Sequence, residues 1–326
     1  MSSAATVLQQ RTELSFRSVQ LRCLDEEKRP LKHARASGFI RIEDGVPFLY
    51  TCWHVVTGYD PNDLRVTNAL PQRAFLEVFV QDPQQQTDSA SVVEGLLSFT
   101  VPLYDESAWP KKPLWYQDRA HLPHPDLNAI GLCVPSWHDA VKIPLPADVK
   151  VSELQLVSNP VLASNTMLVP GDRIYVVGFP YGSGTGGGRG LPAPVVLTRF
   201  VTTTTVSGRP REFLLDSGGA PGMSGGPVFV ERDDDIALLG VYTGVIYPGP
   251  VTERNKRVSA LGSCANLSSC WRGNLPLVRE PTEASGISWL SRRSVPRSLR
   301  AVSTPGARGE GKLLGAPGFD LERELT

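Results

Sequence analysis

The run Ala220-Pro221-Gly222-Met223-Ser224-Gly225-Gly226-Pro227-Val228-Phe229 sets one serine among glycines, on a turn that leads straight into an apolar strand. Glycine before the serine lets consecutive backbone N–H groups point the same way. Two such donors aimed at one point make an oxyanion hole, often the largest single contribution to acyl-transfer catalysis. The chemistry implied is attack on a carbonyl by Ser224.

Gly222 to Gly226 also fits the G-x-S-x-G nucleophile elbow of α/β-hydrolases, a fold whose histidine follows the serine. Here His33, His54, His121, His124 and His138 all precede Ser224. The base must come from the front half, in the order histidine, aspartate, serine. His54 is the best candidate. It closes the apolar, β-prone stretch Phe48-Leu49-Tyr50-Thr51-Cys52-Trp53, which follows a turn at Asp44-Gly45. A general base needs rigid positioning of that kind, although a core histidine bonded to a carbonyl would look the same. His121 and His124 lie in a proline-rich stretch, and His33 and His138 have polar neighbours. The acid expected to hold the imidazole tautomer is Asp126, which opens the mostly apolar run Leu127-Asn128-Ala129-Ile130-Gly131-Leu132-Cys133-Val134. An aspartate capping the turn after Pro125 is the plain alternative. Asp60, Asp63, Asp105 and Asp118 each lie in polar segments without such a run.

These pieces resemble a trypsin-like (chymotrypsin-fold) serine peptidase of the bacterial, intracellular kind, over roughly residues 12 to 272. Thr51 to Val56 resembles the family's histidine box, with Trp53 where a small residue is usual. Asp126 to Ile130 resembles its aspartate box, with Asn128 in place of a small apolar residue. Val169 to Pro180 resembles the strand and Gly-x-Pro turn opening the second barrel, and Gly222 to Pro227 the serine box. The resemblance implies Ser224 as nucleophile, His54 as general base and then acid, and Asp126 as the orienting carboxylate. It also implies the N–H groups of Gly222 and Ser224 as the oxyanion hole. No cofactor or metal is called for. Met223 stands where digestive members carry an aspartate that pairs with a freshly cut N-terminus, so activation by that ion pair is not expected. The family's primary pocket would be lined by Gly218, Gly219 and Ala220, facing Tyr242, Thr243 and Gly244, whose backbone would pair with the substrate as an added strand. None of these is acidic, so a buried Arg or Lys of the substrate would lack a partner. The expected preference is for small or medium apolar residues, unless a loop shift brings Asp216 to the pocket floor.

Length and composition agree. The 326 residues carry 33 Lys+Arg and 33 Asp+Glu, so no charge excess points to nucleic acid or an acidic membrane surface. The expected partner is a polypeptide substrate. The N-terminal stretch lacks a basic region and a continuous apolar core, so it does not read as a signal peptide. The five cysteines (Cys23, Cys52, Cys133, Cys264, Cys270) fit neither a zinc spacing nor a secreted disulfide framework. The expected compartment is the cytoplasm.

The elements that must position these residues are short β-prone runs separated by glycine and proline. In the first half they are residues 14–24, 36–42, 46–53, 74–80, 91–103 and 127–134. In the second half they are 153–157, 173–179, 195–204, 212–216, 227–231 and 236–246. The fold expected is all-β, two six-stranded antiparallel β-barrels with the active site in the cleft between them. The first barrel would span 12–145 and the second 146–278. Residues 279–326, rich in Arg, Gly and Pro, cannot bury enough apolar surface to fold alone and read as a disordered tail. The glycine run 182–190 lacks the Gly-Lys-Ser/Thr ending of a phosphate loop. The function expected is a serine endopeptidase working through an acyl-enzyme. The alternative is a protease-fold effector or binding module, inactive until a regulatory protein partner orders the oxyanion loop. An esterase on the same fold would carry the same motifs.

Overall fold

The computed structural model describes residues 3–60, 73–81, 96–108, 111–117, 139–146, 148–162, 167–182, 194–204, 212–232, 235–246 and 261–266. The chain is all-β, built on two antiparallel sheets. A short helix, α1 (Ser3–Leu14), leads into the first sheet, whose strands are β1 (Val19–Leu24), β2 (Pro30–Glu43), β3 (Val46–Thr51), β4 (Phe75–Gln81), β5 (Leu96–Pro102), β8 (Tyr116–Gln117) and β9 (Val141–Pro144). Its order is β5-β4-β1-β2-β3-β9-β8, with β6 (Tyr104–Asp105) and β7 (Lys112–Pro113) forming a separate hairpin. The second sheet closes into a six-stranded barrel, β10-β11-β12-β15-β14-β13. Its members are β10 (Arg173–Gly178), β11 (Val195–Thr203), β12 (Glu212–Leu215), β13 (Pro227–Arg232), β14 (Asp235–Ile246) and β15 (Leu261–Asn266).

The turn at Asp44-Gly45 forms as expected. Both residues have positive φ (49° and 80°), and Glu43 pairs with Val46 across a two-residue loop. That is the mirror-image turn whose twist suits a hairpin. Four residue pairs further along the hairpin, Phe39 on β2 stacks on Tyr50 on β3 at a centroid distance of 4.9 Å. One apolar cluster spans both sheets. It joins Leu49, Tyr50, Cys52, Trp53 and Val141 of the first half to Tyr175, Val177, Phe229 and Val241 of the second. A second cluster fills the closed barrel and includes Val201, Phe213, Met223, Val228 and Tyr242. Burying such side chains is the main favourable term in folding, about 1.5–3 kcal/mol each.

Several expected strands need correction. The run 14–24 divides, because α1 ends at Leu14 and the strand begins at Val19. The run 153–157 is a 3-10 turn over Glu153–Gln155, tied to β2 by an isolated bridge from Leu156 to Ile40 and by Arg41 Nη1, which donates to Val157 O at 3.3 Å. β9, which pairs with β3, is absent from the expected set and ends just before the expected boundary at 145–146. The sixth strand of the closed barrel is β15, absent from the expected set. The expected strand 127–134, the glycine run from 183 on and the tail from 279 lie outside the described residues. No helix among the described residues is long and apolar enough to cross a membrane.

Candidate active site

His54 does not close a strand. The chain leaves β3 at Thr51 and enters a one-turn helix, α2 (Trp53–Thr57), with His54 as its second residue. Gly58 ends the helix in the left-handed region (φ 84°), and its N–H donates to His54 O at 2.9 Å. Glycine takes that conformation without steric cost. The buried Arg73 donates through Nη1 to the carbonyls of His54 (2.9 Å) and Val55, adding a second bond at His54 O and bracing the short helix. Trp53, where a small residue was expected, is fully buried in the core. Burial pushes the nearby Cys23 thiol up, and the Arg73 charge only partly offsets it. The thiol therefore stays neutral.

The carboxylate on His54 belongs to Asp139. Its Oδ1 accepts from the His54 backbone N–H at 2.9 Å, and its Oδ2 lies 2.5 Å from Nδ1. The register explains the meeting. Thr51 on β3 pairs with Val141 on β9, so two residues beyond each partner brings Asp139 beside the Trp53-His54 corner. Asp139 is buried, and the His54 side chain keeps 19% of its surface exposed. Asp126 lies outside the described residues. The signal for Asp139 was an acid just before the mostly apolar run Ala140-Val141-Lys142-Ile143, beyond the last strand expected in the first half (127–134).

Ser224 sits on the loop before β13, between Gly222 (φ 93°) and Gly225 (φ 90°). The loop is tied down on every side. Ser37 on β2 donates its N–H to Ser224 O at 2.9 Å and its hydroxyl to Gly222 O at 2.8 Å, while that hydroxyl accepts from Phe179 N at 2.9 Å. Gly225 N donates to Tyr242 O at 2.8 Å, and Tyr242 N to Gly226 O at 2.9 Å. Cys52 Sγ donates to the same Tyr242 carbonyl at 3.3 Å. A Cβ on Gly225 would stand 2.1 Å from Ser37 O and 2.2 Å from Thr51 Oγ1. The serine loop thus packs directly on the segment that delivers His54. Ser224 Oγ makes no hydrogen bond to a described residue, so it is not joined to His54 in this conformation. In free enzymes such bonds are often long and tighten only with substrate.

The two expected oxyanion donors are oriented by their neighbours. Pro221 O accepts from Tyr181 N at 2.5 Å, and Met223 O accepts from Gly226 N at 3.0 Å. Because each peptide is planar and trans, the N–H groups of Gly222 and Ser224 point opposite to those carbonyls. Neither donates to a described residue. Met223 is fully buried in the closed barrel, which fits a thioether at this place where an ion-pairing aspartate would be stranded.

Of the expected pocket residues, Gly218, Gly219 and Ala220 form the half-buried approach to the loop. Tyr242 is not a wall for substrate. Its ring is buried in the barrel core, its hydroxyl accepts from Gly219 N at 2.5 Å, and its backbone is taken by Gly225 and Gly226. It is a strut beneath the pocket segment. Thr243 lies at a bulge in the pairing of β14 with β15, and Gly244 follows at φ 145°. Asp216 does not reach a pocket floor: it is exposed, and its Oδ1 accepts from Phe200 N at 3.1 Å.

Cys52, His54 and Asp139 hold ligand-type atoms within 4.8 Å of one another. The carboxylate is bonded to Nδ1 of His54, and the thiol donates to the Tyr242 carbonyl. The sequence matches no model of a known protein family and no curated protein.

Proposed function

We propose that this chain is a serine endopeptidase that cleaves peptide bonds through an acyl-enzyme, with Ser224 as nucleophile, His54 as base and Asp139 as the orienting carboxylate. The observation that carries this reading is the double grip of Asp139 on His54, at a corner against which the Ser224 loop is packed. With Nδ1–H bonded to the carboxylate, Nε2 carries the lone pair that takes the Ser224 proton. The alkoxide attacks the substrate carbonyl, and the N–H groups of Gly222 and Ser224 receive the negative charge on its oxygen. Protonated His54 then gives its proton to the leaving amine, and water repeats the sequence to release the acid.

The test is labelling by a fluorophosphonate together with hydrolysis of a peptide library. Wild-type protein is expected to carry the label on Ser224, and Ser224→Ala to lose it, with turnover down by up to about a million-fold. Near-wild-type turnover in Ser224→Ala would exclude the nucleophile.

A further inference from the structure

Among the described residues, the closed barrel carries a cation, Arg199, with no ionic partner, at the edge of the segment expected to line the primary pocket. Arg199 lies on β11 between Leu197 and Val201, both of which pack toward the barrel core. Strand alternation turns Arg199 to the same inner side. Its Nη2 donates to Gly218 O at 3.3 Å, and its Nη1 to Thr198 O at 2.8 Å. Its Nε is buried and has no hydrogen-bond partner. No carboxylate among the described residues pairs with it, and Asp216, the nearest acid in the pocket segment, is bonded to Phe200 N instead.

A guanidinium presents five N–H donors in a planar fork and stays charged at every accessible pH. Two of the four Nη donors of Arg199 go to the carbonyls of Gly218 and Thr198, and two remain. Nε is buried, but Arg199 as a whole is only partly buried, so a carboxylate that reaches the Gly218 segment meets the remaining Nη donors of a charged fork.

We propose that Arg199 selects substrates with an acidic side chain, glutamate or aspartate, on the acyl side of the bond that Ser224 attacks. This replaces the small or medium apolar preference expected from the sequence. It rests on the serine endopeptidase reading above, since it concerns the same pocket.

The experiment measures kcat/KM on one fluorogenic peptide scaffold with Glu, Asp, Ala, Val or Arg at that position, for the full-length wild type, Arg199→Gln and Arg199→Lys. Fluorophosphonate labelling runs in parallel. The wild type is expected to favour Glu or Asp over Ala by about tenfold to a hundredfold, the range of a hydrogen-bonded charge. Arg199→Gln should collapse that ratio, while Arg199→Lys, which keeps the charge and loses the fork, should retain part of it. Should Arg199→Gln fail to fold, the wild-type and Arg199→Lys ratios still decide. Labelled protein that prefers Ala, Val or Arg overturns the acidic selectivity and leaves the peptidase reading standing. Absence of both labelling and hydrolysis overturns the two together.

Discussion

Asp139 holds His54 at two atoms, the backbone nitrogen at 2.9 Å and the ring Nδ1 at 2.5 Å. The first contact fixes where the helix turn starts and the second fixes which ring nitrogen is bonded. One buried carboxylate therefore sets both the place and the tautomer of the imidazole.

Asp139→Asn should keep the shape of this corner and lose the tautomer. Turnover is expected to fall by about 10⁴, with the thermal midpoint little changed. Rates for Asp139→Asn and Asp126→Asn measured side by side assign the role. A loss confined to the Asp126 variant would return it to that residue.

Much of this arrangement was legible in the chain, and the failures have identifiable causes. The Asp44-Gly45 hairpin, the β10, β11, β13 and β14 runs and the glycine-rich serine loop are all local signals: turn chemistry, alternation and tight spacing. Asp139 was missed because its role comes from the pairing of β9 with β3, strands some ninety positions apart in a register that sequence does not display. Ser37 gave no signal at all. A single serine inside a strand looks like any other, and its purpose appears only when Gly222 arrives from the second barrel. Tyr242 misled for the opposite reason, since a residue placed by resemblance on a pocket wall turned its ring into the core.

Gly225→Ala should be among the most damaging single changes. The new Cβ would meet Ser37 O and Thr51 Oγ1 near 2 Å, on a backbone already at φ 90°. A loss of about 4 kcal/mol or more is expected. Gly45→Ala is the control, with φ 80° and nothing within 4 Å of its Cβ, so it should cost only the left-handed penalty of about 1–2 kcal/mol. Denaturant midpoints of the two variants compare them directly, and equal losses would remove steric contact between the serine loop and the Thr51 segment as the cause.

Ser37 braces the serine loop from beneath: it is fully buried and holds Gly222 O and Phe179 N with one hydroxyl. Ser37→Ala leaves both groups open, at about 1–3 kcal/mol for a buried unsatisfied polar group. If the serine loop depends on this bond, kcat for a small ester should fall at least tenfold while KM holds. A lower midpoint with unchanged kcat would mean that Ser37 serves stability alone.

Acid should loosen the attachment of α1 to the closed barrel. Burial raises the Glu231 carboxyl, but hydrogen bonds from Arg11 and Tyr175 and the charges of Arg11 and Arg173 outweigh it, and its pKa lies below the usual carboxylate value. A carboxyl lowered on folding stabilises the protein above its unfolded pKa of about 4.3 and loses that contribution as pH falls through the folded value. Thermal melts of wild type and Glu231→Gln should therefore differ by a constant amount from neutral pH down to about 5, and the difference should close below about 4 as wild-type Glu231 takes up its proton. A gap that stays constant to pH 3, or widens on acidification, would show that the Arg11–Glu231 contact contributes no charge-dependent stability.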